Sequence, residues 1–279
     1  MTKENVPAVA GKQDAGLPAY LQGQSFKPED NFDSSDVVVP RIKLLQGISP
    51  EITQFDAAKV GEFWHSGMDI NLGPKVKFVI ADRRKKYLLS APLEDGAGVL
   101  ARSDDFINWD RLGEWSVKQK GVKNPVKWAI TNLNVLESGM TKWGTYNPED
   151  PDSGPAATMF YDYLVFLPDH LDLGPAVISL ARSAIKKAKK GLNDKISVHA
   201  TNGRPMQALV FEASSVDENS DSGGFKNWQF GSAGFNMDEA LFNTARDHVG
   251  ALGRFKVAEE ADTGAPAEGG AKDDGEGKF

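Results

Sequence analysis

Between residues 37 and 257, short segments of alternating apolar and polar positions are separated by turn-forming sequence. The clearest alternation lies at 75–80, where Val76, Phe78 and Ile80 would share one face of a strand and two lysines the other. Further strands are predicted at 126–136, 157–167, 206–213 and 225–230. The last two flank a segment rich in Gly, Ser and Asp, which predicts a hairpin connection.

Two segments carry helix signals. The first, 176–190, follows a Gly-Pro pair that favours a helix start, and Gly191 is a natural stop. The second runs over about 238–252, with Asn236 or Asp238 as its N-cap. Several short strands with two helices predict an α+β, β-rich fold, of which an elaborated OB-type barrel is an example.

Composition divides the chain into three parts. Residues 1–36 are rich in Pro, Gly, Gln, Ser and Asp, and residues 258–279 consist largely of Ala, Gly, Asp and Glu. Neither end can bury a core, so both are predicted to be flexible and 37–257 to form one folded domain. The net charge of −7 comes from these ends, because residues 258–279 carry seven acids against two lysines and residues 40–257 are close to neutral.

Several kinds of site are missing from the sequence. There is no cysteine, which excludes disulfides, thiolate metal sites and cysteine nucleophiles. The four histidines do not have metal-ligand spacing, and the glycine-rich phosphate loops and the nucleophile elbow are absent. The sequence therefore predicts a protein that is not an enzyme and that needs neither a cofactor nor a metal. The N-terminus lacks an apolar signal segment and no apolar run could span a bilayer, so no membrane partner is predicted.

Cations and aromatic residues are concentrated between residues 75 and 128. Twelve Lys or Arg stand there against seven acids, and six aromatic residues are interleaved with them. Proteins that bind single strands without sequence preference use cations for the phosphates and rings that stack on the bases. The residues predicted to form a DNA-binding groove are Lys75, Lys77, Arg83, Arg84, Lys85, Lys86, Tyr87, Arg102, Trp109, Trp115, Lys118, Lys120, Lys123, Lys127 and Trp128. The alternative is that the aromatic residues fill a core while the lysines solvate its outer face.

A second group of cations lies on the predicted helix 176–190. Arg182, Lys186 and Lys189 would share one helix face by their spacing. They would contact phosphate or simply solvate the end of the helix, where the dipole favours cations. The pattern leaves both interpretations open.

The C-terminus combines acids with a final aromatic residue. Asp273, Asp274, Glu276 and Phe279 are predicted to bind partner proteins, because a terminal Phe offers an apolar anchor beside a carboxylate. A flexible acidic tail can also compete with nucleic acid for a basic groove of the same chain.

This tail resembles the C-termini of bacteriophage and bacterial single-stranded DNA-binding proteins, which join an OB-type core to acids and a final Phe. In this chain the acids are diluted by Gly, and Lys278 precedes the Phe. The core is similar to phage early proteins described as single-stranded DNA-binding, in segments 39–46, 49–51, 179–188, 205–209 and 224–228.

The resemblance implies a phage-encoded protein that coats single-stranded DNA in the host cytoplasm during replication or recombination. It also implies tail contacts with replication proteins such as a polymerase, helicase or primase, and it allows for a homo-oligomer. Three alternatives stay open at this point: a virion or assembly protein, a recombination or nuclease-associated enzyme with a hidden acidic site, and a strand-annealing protein.

Overall fold

The computed structural model describes residues 38–96, 98–220, 223–254 and 256–257. The strands are β1 Val38–Val39, β2 Ile42–Leu44, β3 Phe63–His65, β4 Ile70–Gly73, β5 Lys75–Ala91, β6 Gly98–Ser103, β7 Gly113–Val117, β8 Val126–Ile130, β9 Ala157–Phe166, β10 Ala176–Ala181, β11 Leu209–Ser220, β12 Gly223–Phe235 and β13 Lys256–Val257. The α-helices are α1 Pro50–Gln54, α2 Ser183–Ala188, α3 Asp194–Thr201 and α4 Glu239–Asp247. The α+β, β-rich class is confirmed, whereas residues 1–36 and 258–279, with the predicted partner-binding residues, lie outside the described residues.

One antiparallel sheet organises the fold, in the order β10-β9-β5-β11-β12. The long strand β5 pairs with β11 at its start, with β9 along its middle and with β6 at its end. Within the described residues no pairing joins β10 to β12, so hydrogen bonds do not close the sheet into the predicted barrel.

The segment before and after β2 links the two edges of this open sheet. At one edge, the Val177 N–H donates to the Pro40 carbonyl at 2.8 Å. At the other, the Gln46 side chain accepts from the Lys226 N–H at 3.0 Å and donates to the Lys226 carbonyl at 2.9 Å. The Gln46 amide thus replaces a backbone group as the partner of the edge strand β12.

Apolar side chains cover both faces of the sheet. The first, called here the helix face, packs against β2–β4 and against α2 and α3, which form one helical stretch. The second, the α4 face, packs Leu164 and Phe166 against Leu241 and Ala245 of α4. A third cluster of apolar residues lies beneath the β7–β8 ribbon and includes Trp128.

Strand β5 changes its alternation at one position. Ile80 pairs with Val165 and Asp82 with Leu164, so Ala81 is an extra residue that forms a β-bulge. Before the bulge, Val76, Phe78 and Ile80 are buried in the helix-face core as predicted from their spacing. After the bulge, odd-numbered residues occupy that face.

The predicted helix at 176–190 is wrong in its first half. Residues 176–181 form β10, because an apolar run buried on both faces of a sheet favours a strand. The helix begins instead at Ser183 and continues through Gly191 to Thr201, by way of a π-helical turn at Lys189–Asn193.

Other predictions of elements are confirmed with shifted ends. Helix α4 begins at the predicted cap Asp238, whose carboxylate accepts from the Leu241 N–H at 3.0 Å. The β11–β12 hairpin forms, but its strands extend into 214–220, where Ser and Asp side chains lie in a two-stranded ribbon. The strand predicted at 126–136 ends at Ile130.

A side chain at Gly191 would disturb the π-helical turn. A Cβ placed there would lie 2.6 Å from the Phe230 Cβ and 3.0 Å from its carbonyl oxygen. We expect Gly191→Ala to lower the free energy of unfolding by about 1–3 kcal/mol, the usual cost of overpacking. Urea unfolding measures this, and Gly47→Ala, with no atom within 4 Å of the added Cβ, is the matched control. Equal stability of the two variants would show that the turn shifts to accept the methyl group.

Candidate nucleic-acid interface

The bulge at Ala81 brings two cations of β5 onto the helix face. Arg83 pairs directly with Tyr163 of β9, and Lys85 pairs with Tyr161. Adjacent strands place directly opposed side chains within contact distance on the same face. The result is a floor on which two cations lie beside two tyrosines.

An open cleft of about 500 Å³ lies between this floor and the helical stretch. The residues that line it are Arg83, Arg84, Lys85, Tyr161, Tyr163, Asn193, Asp194 and Ser197. Its helical wall is the end of the π-helical turn and the first turn of α3. Such turns change which side chains a helix directs to one side, and they are frequent at functional sites.

Asn193 connects the wall of the cleft to its floor. Its Oδ1 accepts from the Tyr163 hydroxyl at 3.0 Å and from Arg83 Nη1 at 3.4 Å. Burial raises the pKa of Tyr163, so the hydroxyl keeps its proton and remains a donor. Because both donors face Oδ1, the amide orientation of Asn193 is fixed and its NH₂ group is directed away from them.

Aromatic rings lie next to the cleft. Phe106 and Tyr87 are stacked, with ring centroids 4.8 Å apart and planes inclined by 14°. The Lys85 ammonium lies 5.3 Å from the Phe106 centroid and 5.4 Å from that of Tyr161. One cation, Lys85, is therefore in contact with two ring faces at the edge of the cleft.

The loop that carries Phe106 is held by Asp105. The carboxylate accepts from the backbone N–H groups of Ile107 and Asn108 at 2.8 and 2.7 Å, and from the Ser103 hydroxyl. Burial opposes ionisation, but these donors outweigh it and lower the pKa of Asp105 to about 2. The ionised carboxylate thus holds the loop in which Phe106 adopts a φ of +66°, which is uncommon for a bulky residue.

Arg83 and Lys85 differ from the other cations of β5 in their partners. Lys75 forms an ion pair with Glu212 at 3.2 Å, and Lys77 lies 3.8 Å from Asp169, both on the α4 face. In the part of the chain that the structure describes, no carboxylate comes within 4 Å of the charged groups of Arg83 or Lys85. Asp194 also lines the cleft, but neither positive charge forms an ion pair with these residues.

The structure corrects the prediction that Arg84 and Lys86 face a nucleic acid. Arg84 borders the cleft, but the charged groups of both residues lie on the α4 face. There Asp162 is fully buried and lies 3.3 Å from Arg84 Nε and 2.9 Å from Lys86 Nζ. Arg84 also donates to the Leu252 carbonyl at 2.7 Å. These two cations neutralise a buried carboxylate, so their charged groups are not available to phosphate.

Two predicted stacking residues are likewise corrected. Trp109 and Trp128 are 2% and 1% exposed in the core beneath the β7–β8 ribbon. Their indole N–H groups donate to Ser138 Oγ at 2.9 Å and to the Tyr146 carbonyl at 3.2 Å. Trp115 packs partly against the same core. Here the alternative interpretation, aromatic residues filling a core, is the correct one.

The remaining predicted cations lie away from the cleft floor. Arg102 and Arg111 contact Asp110, at 4.0 and 2.8 Å. The exposed lysines of the β7–β8 ribbon and its connection are Lys118, Lys120, Lys123 and Lys127. They form a second cationic group on a different element from Arg83 and Lys85.

The helical wall adds exposed cations of its own. Lys186, Lys189 and Lys190 are exposed, whereas Lys187 forms an ion pair with Glu218 at 2.5 Å. Arg182 does not share a helix face with Lys186 and Lys189 as predicted, because it precedes the helix and has a φ of +52°.

Sequence reasoning missed five residues of the site, namely Tyr161, Tyr163, Asn193, Asp194 and Ser197. The two tyrosines had a usable signal, because they alternate with Asp162 in a predicted strand. Phe106 was noted as an interleaved aromatic residue but was not placed in the groove. Asn193, Asp194 and Ser197 had no local signal, since the wall depends on a π-helical turn.

The fold and the cleft define a β-rich α+β protein with a cationic, aromatic cleft. The family model described as Pam3 phage gp34-like protein matches residues 10–257. The chain therefore belongs to this family of phage proteins. No match was found among curated proteins or among solved structures. In the described ranges, no helix is long and apolar enough to cross a membrane, and no three His, Cys, Asp or Glu side chains are grouped to hold a metal.

Removing the charge of Asp162 tests the buried cluster. We expect Asp162→Asn to lower the free energy of unfolding by about 3 kcal/mol, because the buried Lys86 ammonium loses its carboxylate partner and Arg84 retains the more exposed Asp104, at 3.4 Å. Asp217→Asn is the control, since Asp217 is 83% exposed in its ion pair with Lys226 and its charge should contribute less than about 1 kcal/mol. Equal effects in urea unfolding would contradict a buried charge cluster.

The same variant changes how stability depends on pH. Burial raises the pKa of Asp162, but Lys86, Ser179 and Arg84 outweigh this and lower it below its usual value of 3.8. A carboxylate with a lowered pKa stabilises the fold above its usual value, and this contribution is lost as the pH falls through the folded value. Below pH 3.8 the wild type should therefore lose more stability than Asp162→Asn, and parallel curves would be inconsistent with the lowered pKa.

Proposed function

We propose that this phage protein binds single-stranded DNA without sequence preference, through the cleft between β5, β9 and α3. The single observation that carries the proposal is that Arg83 and Lys85 form no ion pair with a carboxylate of the described residues, while the Lys85 ammonium lies against two ring faces. Two like charges held close together repel each other, which is unfavourable unless a ligand supplies negative charge. Single-stranded DNA would supply negative charge through its phosphates and a stacking partner for the rings through its exposed bases.

Each part of the cleft would take one part of the strand. Arg83, Lys85 and the exposed helix lysines Lys189 and Lys190 would contact phosphates. Phe106, which is half-buried, and Tyr161, which is only 7% exposed with the Lys85 ammonium over its ring, would stack on bases. Such stacking contributes about 1–3 kcal/mol per base. The exposed ribbon lysines would extend the phosphate contacts beyond the cleft. No step of this function requires bond chemistry, so the proposed protein is a binder and not an enzyme.

Variants of the cleft test this function. We expect Arg83→Ala to reduce the slope of log affinity against log salt concentration by about 0.7, the value for one phosphate contact on a single strand. Phe106→Ala should weaken binding by about five- to 150-fold, which corresponds to the loss of one stacked base. Anisotropy of a fluorescent oligo-dT measures both effects.

The control is Lys77→Ala, which removes a lysine of the same strand on the α4 face, near Asp169. It should leave the affinity unchanged. A duplex of the same length should bind more weakly than oligo-dT. No binding of oligo-dT by the folded wild type would contradict the proposal and favour a role in the virion or its assembly. Turnover of the DNA would favour a nuclease.

The C-terminal residues supply a second test. The described chain ends at Val257, paired with Val39, and 22 residues follow it with a net charge of −5. Such a segment can extend to about 70 Å. We propose that it competes with DNA in the cleft and that Phe279 with its neighbouring acids contacts replication proteins.

Deleting residues 258–279 should therefore tighten oligo-dT binding at about 50 mM salt, and the gain should shrink at higher salt because the charges are screened. Phe279→Ala, which keeps the charge, is the matched control and should leave DNA affinity unchanged. Weaker or unchanged binding after the deletion would contradict competition by the tail.

A further inference from the structure

The Lys85 ammonium occupies the space beside two ring faces. It lies 5.3 Å from the Phe106 centroid and 5.4 Å from the Tyr161 centroid. Tyr87 stacks against Phe106 and so takes up part of that ring as well. A base that stacks on Phe106 or Tyr161 from the cleft must take the position that the ammonium holds.

We propose that Lys85 fills the base-stacking position in the free protein and leaves it for a phosphate when a base enters between Phe106 and Tyr161. The inference rests on the proposed function, and it identifies this position as the base subsite of the cleft. Lys85 would then have two roles, as a plug of the empty subsite and as a phosphate contact of the filled one.

The partners of Lys85 permit this exchange. Within the described residues no carboxylate lies within 4 Å of its ammonium, so only the two rings hold it. An exposed cation–π contact is weaker than a stacked base, so the exchange favours the base. The lysine stem has four rotatable carbons and can carry the charge out to the adjacent backbone of the strand.

Arg83 provides an internal comparison. It lies two residues earlier on the same strand and the same face, and its Nη1 lies 3.4 Å from Asn193 Oδ1. Its guanidinium has no ring contact of the cation–π kind in the described part of the chain. Arg83 should therefore act only as a phosphate contact, whereas Lys85 both opposes the base and attracts the phosphate.

The two roles respond differently to salt. Salt weakens a phosphate contact, and one such contact changes affinity for a single strand by about fivefold over a tenfold range of salt. The Lys85 ammonium and the base compete for the same rings at contact distance, so salt screens this competition much less. Removal of Lys85 should hence weaken binding at low salt and tighten it at high salt.

The experiment compares Lys85→Ala, Arg83→Ala and wild type by anisotropy of labelled oligo-dT, from about 50 mM to about 500 mM salt. We expect Lys85→Ala to bind about twofold more weakly than the wild type at the low end of this range and about twofold more tightly at the high end. Its plot of log affinity against log salt concentration should therefore cross that of the wild type. The Arg83→Ala line should approach the wild type without crossing it. An abasic strand of the same length, which has phosphates but no bases, should show no tightening with Lys85→Ala.

The outcomes separate the two proposals. If the wild type binds oligo-dT and the Lys85→Ala line stays below it as Arg83→Ala does, Lys85 is a simple phosphate contact and the plug is wrong. Tightening on the abasic strand would also overturn it, because no base then competes for the rings. If the folded wild type does not bind oligo-dT at all, the proposed function itself fails.

Discussion

Alternation along β5 is the constraint on which the site depends. Successive side chains of a strand point to opposite faces, and one extra residue reverses the assignment for everything that follows. With Ala81 as that residue, the even positions bury apolar side chains before the bulge, and the odd positions line the cleft after it. Without the bulge, Arg83 and Lys85 would be directed into the α4 face.

The run of four cations at 83–86 is therefore divided between two environments. Arg84 and Lys86 are nearly removed from water, which is tolerable because Asp162 lies between them and its other oxygen accepts from Ser179. Arg84 has a second carboxylate partner in Asp104, at 3.4 Å. Arg84 further binds the Leu252 carbonyl, and so connects the sheet to the segment after α4. The buried half of the run thus fixes the strand, and the other half, Arg83 and Lys85, remains exposed in the cleft.

The fold class and several elements could be predicted because they depend on local patterns. The alternation at 75–80 correctly predicted which side chains are buried, and the cap Asp238 correctly predicted where α4 begins. The groove residues depended on contacts distant in the sequence, and there the prediction was incomplete. Nothing near Trp128 indicates that the Tyr146 carbonyl will bind its indole, and nothing near Arg84 indicates that Asp162 will face it. Residue type alone cannot distinguish a stacking ring from a core ring.

Selectivity for single strands would come from the rings and not from the charge. Residues 40–257 have a net charge of only +1 and both ends are acidic, so long-range attraction to any nucleic acid is weak. Phosphates are present on single strands and duplexes alike, and cations such as Arg83 cannot tell them apart. Bases can reach Phe106 and Tyr161 only when their faces are not already stacked and paired, because opening a duplex costs several kcal/mol at each step. Because the Lys85 ammonium lies against these rings, the proposed site would couple phosphate binding to the availability of a free base.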